Sequence, residues 1–274
     1  MSSGTADVNR FDTTVAHPAR RYNYWLGGKD NFAADRASGD AIEAAMPSIR
    51  LMAIENRKFL GRAVEYLAGQ GIRQFLDIGT GIPAPGNTHD VAQTIQPTTH
   101  TVYVDNDPIV LTHARALITT GPQGAISYID ADLREPQAIL DHPELAATLN
   151  FDEPIALLLV AVLHFIRDDE NPQATIDTLV GALPPGSYVV ATHATWEYQS
   201  PEAIAELTAN NKDGRFVPRT GVQLAELLHD LDFIDPGLVS VSRWRAGQEP
   251  QPRPAVEEVS CNGVVARLRS KGVS

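Results

Sequence analysis

The chain has 274 residues, 43% hydrophobic and 20% charged, enough for one large α/β domain or a domain with an added helical piece. A formal net charge of -12 opposes binding to a phosphate-dense duplex, and the single cysteine, Cys261, excludes an internal disulfide or a cysteine metal cluster. The first residues lack the apolar core of a signal peptide, and the longest apolar run, Ile155 to Leu163, is too short to cross a bilayer. The expectation is a cytoplasmic protein with no nucleic-acid and no membrane partner, its oligomeric state open.

Residues up to about Pro18 are polar and read as loose. From Ala19 to Leu67 the pattern is mostly helical. Ile49, Met52, Leu60, Ala63, Val64 and Leu67 recur at helical spacing, and Ser48 can cap that helix. After Gly71 short apolar runs alternate with helical segments. Strands are predicted at Gln74–Ile78, Thr101–Asp105, Ile126–Asp130, Ile155–Leu163, Ser187–His193, Leu238–Trp244 and Asn262–Leu268. Helices are predicted at Thr88–Ile95, Ile109–Ile118, Pro136–His142, Asn171–Leu183, Pro201–Asn210 and Gly221–Leu231. This alternation implies a parallel sheet covered on both faces. A proline-rich connection between the last two strands suggests an antiparallel hairpin.

Ligands of such sheets sit beyond the carboxyl ends of the strands. Asp77 ends the first strand, and Gly79 and Gly81 allow a sharp turn and close approach of a ligand. Asn87 and Asp90 resemble a capping pair for the next helix. In "VYVDNDP" a carboxylate can accept the hydroxyls of a ribose. Asp107 precedes Pro108 and reads as a helix cap, which leaves Asp105 at the strand tip for the ribose. A third glycine is missing, and Pro83 and Pro85 remove amide donors, so the turn suits a nucleoside without phosphates better than NAD. S-adenosylmethionine is such a ligand.

The motifs "FLDIGTG", "VYVDNDP", "DADLREP", "LLLVAVLHFIRDDENP" and "RYNYWLGGKDNFAADR" together resemble a bacterial S-adenosylmethionine-dependent methyltransferase family, long catalogued as a domain of unknown function. The likeness runs from about Ala19 to the carboxyl end, and "YNYWLGGKDNF" is its most specific part. It implies an α/β, Rossmann-like class I methyltransferase fold: a seven-stranded, mostly parallel sheet with the last strand antiparallel. Residues 1–70 would form a helical extension and cofactor lid, and residues 71–274 the methyltransferase domain. The family also lacks the third glycine of the general methyltransferase turn.

By that resemblance, Asp77, Gly79, Thr80 and Gly81 line the methionine part of S-adenosyl-L-methionine. Asp105 takes the ribose, and Asn106 lies near the adenine. Asp132 with the Leu133 amide reads the adenine edge, with Asp130 as a rival. Ala161 stands at the fourth strand end, beside the methionine. His164 and His193 are candidate catalytic groups, each also readable as a structural histidine. Tyr22 and Asn31 are expected to touch the cofactor, and Lys29, Arg21 or Asn31 to meet its carboxylate. Gly27 and Gly28 supply a hinge or tight turn. Trp25 and Phe32 read as helix core, and Asp35 and Arg36 as a structural pair or solvent-facing.

Methyl transfer is an in-line displacement that needs alignment and exclusion of water rather than a covalent nucleophile. Cys261 is therefore expected to be inert, and Asp168–Glu170 to start a helix. No metal signature is present, and no "NPPY"-type motif follows the fourth strand. The expected function is methyl transfer to a small molecule of unknown identity. A non-catalytic S-adenosylmethionine-binding protein and an NAD(P)-dependent oxidoreductase are the alternatives.

Overall fold

The computed structural model describes residues 12–117, 123–211 and 214–269; residues 1–11 and the predicted helix end at Ile118 lie outside them. Three helices come first: α1 (Pro18–Trp25), α2 (Ala33–Ala45) and α3 (Ile49–Gly69). The sheet is built from β1 (Gln74–Ile78), β2 (His100–Asp105), β3 (Ala125–Asp130), β4 (Ala156–Leu159), β5 (Tyr188–Ala194), β6 (Leu231–Phe233), β7 (Val239–Ser240) and β8 (Cys261–Leu268). Between the strands lie α4 (Thr88–Ile95), α5 (Pro108–Leu117), α6 (Pro136–Leu140), α7 (Pro143–Thr148), α8 (Pro172–Ala182), α9 (Pro201–Asn210), α10 (Gly221–Leu227) and α11 (Val256–Val259).

The strand order is β3-β2-β1-β4-β5-β8-β6, with β7 also paired to β8. Neighbours from β3 through β5 are parallel. β8 runs antiparallel to β5, β6 and β7. The order reverses between β1 and β4, and the crevice beyond their carboxyl ends is where such sheets bind ligands. Leu76, Ile78, Val102, Val104, Ile129, Leu157 and Val189 form the core on one face. On the other, α3 packs Phe59, Ala63, Val64 and Leu67 against Phe75, Ala156, Leu158 and Val190. That two-sided burial is why the central strands read as continuous apolar runs.

Several expectations need correction. The sheet has eight strands, because three-residue β6 begins at Leu231, where the predicted helix ends, and helix α10 already ends at Leu227. Strand β4 stops at Leu159, because Ala161 turns left-handed (φ 57°) and Leu163–Phe165 coil into a 3-10 turn. The run Leu238–Trp244 is strand only at Val239–Ser240, although Val241 and Trp244 are fully buried. Ser48 precedes α3 but its side chain caps nothing. Asp168–Glu170 form their own 3-10 turn, and Asn171 caps α8 by accepting from the Ala174 N–H over 3.3 Å. Residues 12–17 are docked rather than loose: Arg20 donates to the Val15 carbonyl, and the His17 N–H donates to Asp35 Oδ1 over 2.8 Å.

Candidate active site

The glycine turn begins where β1 ends. Gly79 donates its N–H to the Val104 carbonyl over 2.8 Å, and Gly81 donates to Asp105 Oδ2 over 2.8 Å. Both glycines are left-handed, at φ 77° and 69°. A Cβ on Gly79 would sit 2.6 Å from Val162 Cγ2, whereas a Cβ on Gly81 would meet open space. Thr80 turns inward, its hydroxyl donating to the Asp77 carbonyl over 2.9 Å. After Gly81 the prolines delay the helix, and α4 begins only at Thr88. Asp90 accepts from the Asn87 N–H, while Asn87 Oδ1 accepts from the Ala84 N–H and from Arg57 of α3.

Asp105 is buried at the tip of β2, its second oxygen accepting from the Asp107 N–H over 2.9 Å. Each carboxylate oxygen retains a lone pair for a ligand hydroxyl. Burial raises its pKa, outweighing the two amides. Asp77 is buried too, and burial lifts it to about 6 although the Thr88 hydroxyl donates to it. Asp107 caps α5 as expected, accepting from the Ile109 N–H over 2.9 Å. Its other oxygen lies 3.0 Å from His17 Nδ1 and 3.3 Å from Arg20 Nε. The start of α1 is thereby anchored beside Asp105.

At the next strand tip, Asn106 and Asp132 meet, the amide donating to Asp132 Oδ2 over 2.8 Å. Arg134 grips both oxygens of Asp132. Burial alone would push the Asp132 carboxyl up, but Arg134 and Asn106 overcome it and hold the pKa near about 2. Among the described residues no acceptor meets the Leu133 N–H, whose side chain is core. The Arg134 N–H also donates to Asp132 Oδ1, so an ionised carboxylate with four protein donors lies beside an open donor. Asp130 is still part of β3 and is exposed.

Ala161 donates its N–H to the Thr192 hydroxyl over 2.9 Å in its left-handed pose. A non-glycine residue held there signals a backbone constrained by its surroundings. His164 is 5% exposed, with Phe165 and Phe216 against its ring at centroid distances of 4.4 and 4.9 Å. Burial, with His193 and Arg219 nearby, drives its pKa well below the ordinary value, which leaves a neutral, weak base. His193 is enclosed completely. Its Nδ1 bonds the Ala194 carbonyl at 2.9 Å, and Nε2 accepts from Arg219 at 3.2 Å. Burial lowers it to about 4. Enclosure corrects the catalytic reading of His193: both nitrogens serve the fold.

Arg219, which sequence reasoning missed, organises this corner. It donates to the Leu163 and Ile166 carbonyls, to His193 and to Asp168. Nothing in "PRTGVQ" marks it, because its partners stand 26 to 56 residues away. Arg57 was missed for the same reason.

The segment "YNYWLGGKDNF" is mostly a folding motif. Gly27 and Gly28 close α1 with bonds from Gly27 N–H to Tyr24 O and from Gly28 N–H to Asn23 O, a Schellman turn. A Cβ on Gly28 would collide with the Asn23 amide at 2.2 Å. The Tyr22 hydroxyl donates to the Ala53 carbonyl and accepts from Asn56, both on α3. The Asn31 amide donates to Asn23 and Gly28, and its oxygen accepts from Arg36. The polar ends of Tyr22 and Asn31 are therefore spent within the protein. Arg21 donates to Ser38, and Lys29 is exposed. Trp25 is half-buried against Ala45, Met46, Ile49 and Leu207, and Phe32 lies under Arg20. Asp35 is fully buried and faces Arg20 and His17 rather than Arg36. Cys261 is buried, and burial pushes its thiol up to about 12.

Two hollows lie away from this crevice. One of about 730 Å³ opens at the amino ends of the strands, near Arg73, Gln74 and His100. Another of about 430 Å³ borders β3, near Tyr128 and His142. Strand-order logic places the chemistry at the opposite, carboxyl end. Among the described residues no helix is long and apolar enough to cross a membrane.

The model of a family described as S-adenosyl methyltransferase matches residues 4–269. A crystal structure of a DUF574 family protein from Streptomyces avermitilis MA-4680 is 38% identical, with a TM-score of 0.88, over 94% of this chain and 99% of that one. A candidate methyltransferase from Thermobifida fusca YX is 36% identical, with a TM-score of 0.86, over 97% of this chain and 100% of that one. An O-methyltransferase family protein from Burkholderia thailandensis, 14% identical with a TM-score of 0.52 over 82% of this chain and 59% of that one, shares the fold alone. A search of curated proteins gave no match. The α/β sheet with its reversed β8 is the Rossmann-like class I methyltransferase fold, and the oxidoreductase alternative falls. The chain belongs to the S-adenosyl methyltransferase family and is an S-adenosylmethionine-dependent methyltransferase.

Proposed function

We propose that the protein methylates a small molecule in the crevice beyond β1, β4 and β5, under a lid made by α1–α3. The carrying observation is the roof. Ala45, Met46 and Ile49, from the end of α2 to the start of α3, pack on Leu207 of α9, the helix that follows β5. Helices far apart in the chain meet here, and a crevice roofed in this way would favour a compact acceptor over a polymer. The -12 charge agrees.

When bound, S-adenosylmethionine supplies a methyl group already activated on a sulfonium. The residues present fit it. Asp105 keeps lone pairs for the ribose. The Leu133 N–H donates to the adenine edge, and Asp132 accepts from it once Asn106 gives up its bond to Oδ2. Gly81 leaves open space where a side chain would stand, and with Thr80, Gly79, Asp77 and Ala161 it forms the wall of the methionine part. His17 and Arg20 hold α1 against Asp107, so the lid closes next to the ribose aspartate. No residue needs to act as a nucleophile; enclosure and alignment carry the rate.

Methyl-labelled cofactor incubated with protein and cell extract tests this reading. Label is expected in the small-molecule filtrate. Label confined to macromolecules would overturn it.

A further inference from the structure

The methionine end of the cofactor carries a carboxylate, and the crevice it would enter is already acidic. Asp77 and Asp105 are both buried, at the adjoining tips of β1 and β2. A third carboxylate beside them needs a cation. Lys29, Arg21 and Asn31 are the donors expected from the sequence. Lys29 is exposed, and the Asn31 amide is spent on Asn23 and Gly28. Arg21 donates to Ser38, and its charge acts on His164, past the end of β4.

Arg57 of α3 is placed differently. α3 ends at Gly69, and β1 starts at Gln74 after a short connection, so the packed helix and strand run antiparallel. The twelve residues from Arg57 to Gly69 rise about 18 Å. Five-residue β1 is about 16 Å long, so Arg57 stands level with its carboxyl end. Arg57 Nη2 donates to the Ala84 carbonyl over 3.0 Å and to Asn87 Oδ1 over 2.9 Å, on the segment that continues the glycine turn. Nη1 holds two of the five N–H groups and bonds nothing among the described residues, and Nε is buried without a partner. Arg20, Arg50, Arg62, Arg134, Arg219 and Arg253 each pair with a carboxylate; among the described residues none lies within ion-pair distance of Arg57. Its charge still reaches the site. Burial raises the pKa of Asp77 in β1 and of Tyr22 in α1, and Arg57 opposes that rise in both. The guanidinium thus stands between lid and turn, and Gly81, three residues before Ala84, leaves open space for a ligand.

We infer that Arg57 recognises the amino-acid end of S-adenosylmethionine, with Nη1 donating to the methionine carboxylate. This rests on the methyltransferase reading above. One guanidinium then joins α3, the Ala84–Asn87 segment and the ligand. It also makes the protein select the intact cofactor over one that has lost its carboxylate. An Arg57 that only ties α3 to the turn through Nη2 predicts otherwise: its loss would weaken every ligand alike.

Calorimetry on the full chain compares S-adenosylhomocysteine with its decarboxylated form, which keeps the adenosine, thioether and ammonium. Wild type is expected to prefer the intact ligand by about tenfold or more, the scale of a charge-assisted contact. Arg57→Gln, once a thermal melt shows it folded, should lose that preference while binding the decarboxylated ligand within about twofold of wild type. Should glutamine not fold, Arg57→Lys keeps the charge without the planar fork and should reduce the preference at least threefold. Arg21→Met should leave the preference intact. A wild type without preference, a preference that survives both Arg57 substitutions, equal weakening of both ligands in Arg57→Gln, or loss of the preference in Arg21→Met overturns the assignment and leaves the methyltransferase reading standing. A wild type that binds neither ligand overturns both.

Discussion

Gly81 donates its backbone N–H to Asp105 Oδ2 over 2.8 Å, so the glycine turn after β1 and the acidic tip of β2 are one unit. The carboxylate fixes the turn that is to carry the methionine end while reserving lone pairs for the sugar. Asp105→Ala should weaken S-adenosylhomocysteine binding by more than about 1 kcal/mol, the scale for loss of a charged acceptor. Calorimetry on the folded variant checks this; wild-type affinity would remove Asp105 from the site.

The two glycines of the turn should separate fold from function. Gly79→Ala places a Cβ 2.6 Å from Val162 at φ 77° and should lower stability by roughly 1–3 kcal/mol. Gly81→Ala meets nothing in the protein and costs only its left-handed φ, about 1 kcal/mol. Its methyl group enters the space assigned to the cofactor. Thermal melts should therefore rank Gly79→Ala as the less stable, and both should lose cofactor affinity. Equal affinity of Gly81→Ala and wild type would put the cofactor elsewhere.

Asp77 predicts a pH signature. Its folded pKa of about 6 exceeds the ordinary 3.8, so between those values the folded protein holds a proton that the unfolded chain has released. Stability from this group is present below about pH 4 and is lost as pH rises through 6. Asp77→Asn keeps an acceptor for Thr88 without the buried charge. Above pH 6 the variant should be more stable than wild type, by up to roughly 3 kcal/mol for a shift of two pH units. At pH 4 and below the difference should vanish. A variant that is less stable at neutral pH would show that the ionised carboxylate is well solvated or paired.

Much of the frame was legible. β1, α4 and α9 fall where turn residues bracket a clear period: Gly71 and Gly79 around β1, Asn87 before α4, Ser200 and Pro201 before α9. Asp107 was readable as a cap because Pro108 follows it. The apolar run after Ile155 was misjudged in length because hydrophobicity does not reveal that Ala161 is left-handed. β6 was invisible because three residues carry no period. Tyr22, Asn31 and Asp35 sit in a recognisable motif, yet their partners on α3 and α1 come from tertiary packing. The same limit hid Arg219 and exposed His193 to misreading.

Arg219→Ala should be expensive for the fold. It strands the Ile166 carbonyl and the His193 Nε2 in a buried corner, and leaves the Leu163 carbonyl with only the Ile166 N–H. Unsatisfied buried groups cost about 1–3 kcal/mol each, in part relieved by water. A fall in melting temperature of at least about 5 °C is expected, at roughly 2–4 °C per kcal/mol for a chain of this size. Lysine should not rescue it, since the guanidinium fork addresses several partners at once. An unchanged melt would mean the corner is wetter than its burial implies.

The placement of β8 governs how this protein can be made. Cys261–Leu268 slot between β5 and β6, so two strands made earlier are joined only by one that follows both in the chain. Until it leaves the ribosome, both flanking strands present bare amide edges, the usual template for misassociation. Nascent chains stopped short of Cys261 should therefore depend on chaperones and aggregate when released, whereas chains that include Leu268 cover both edges.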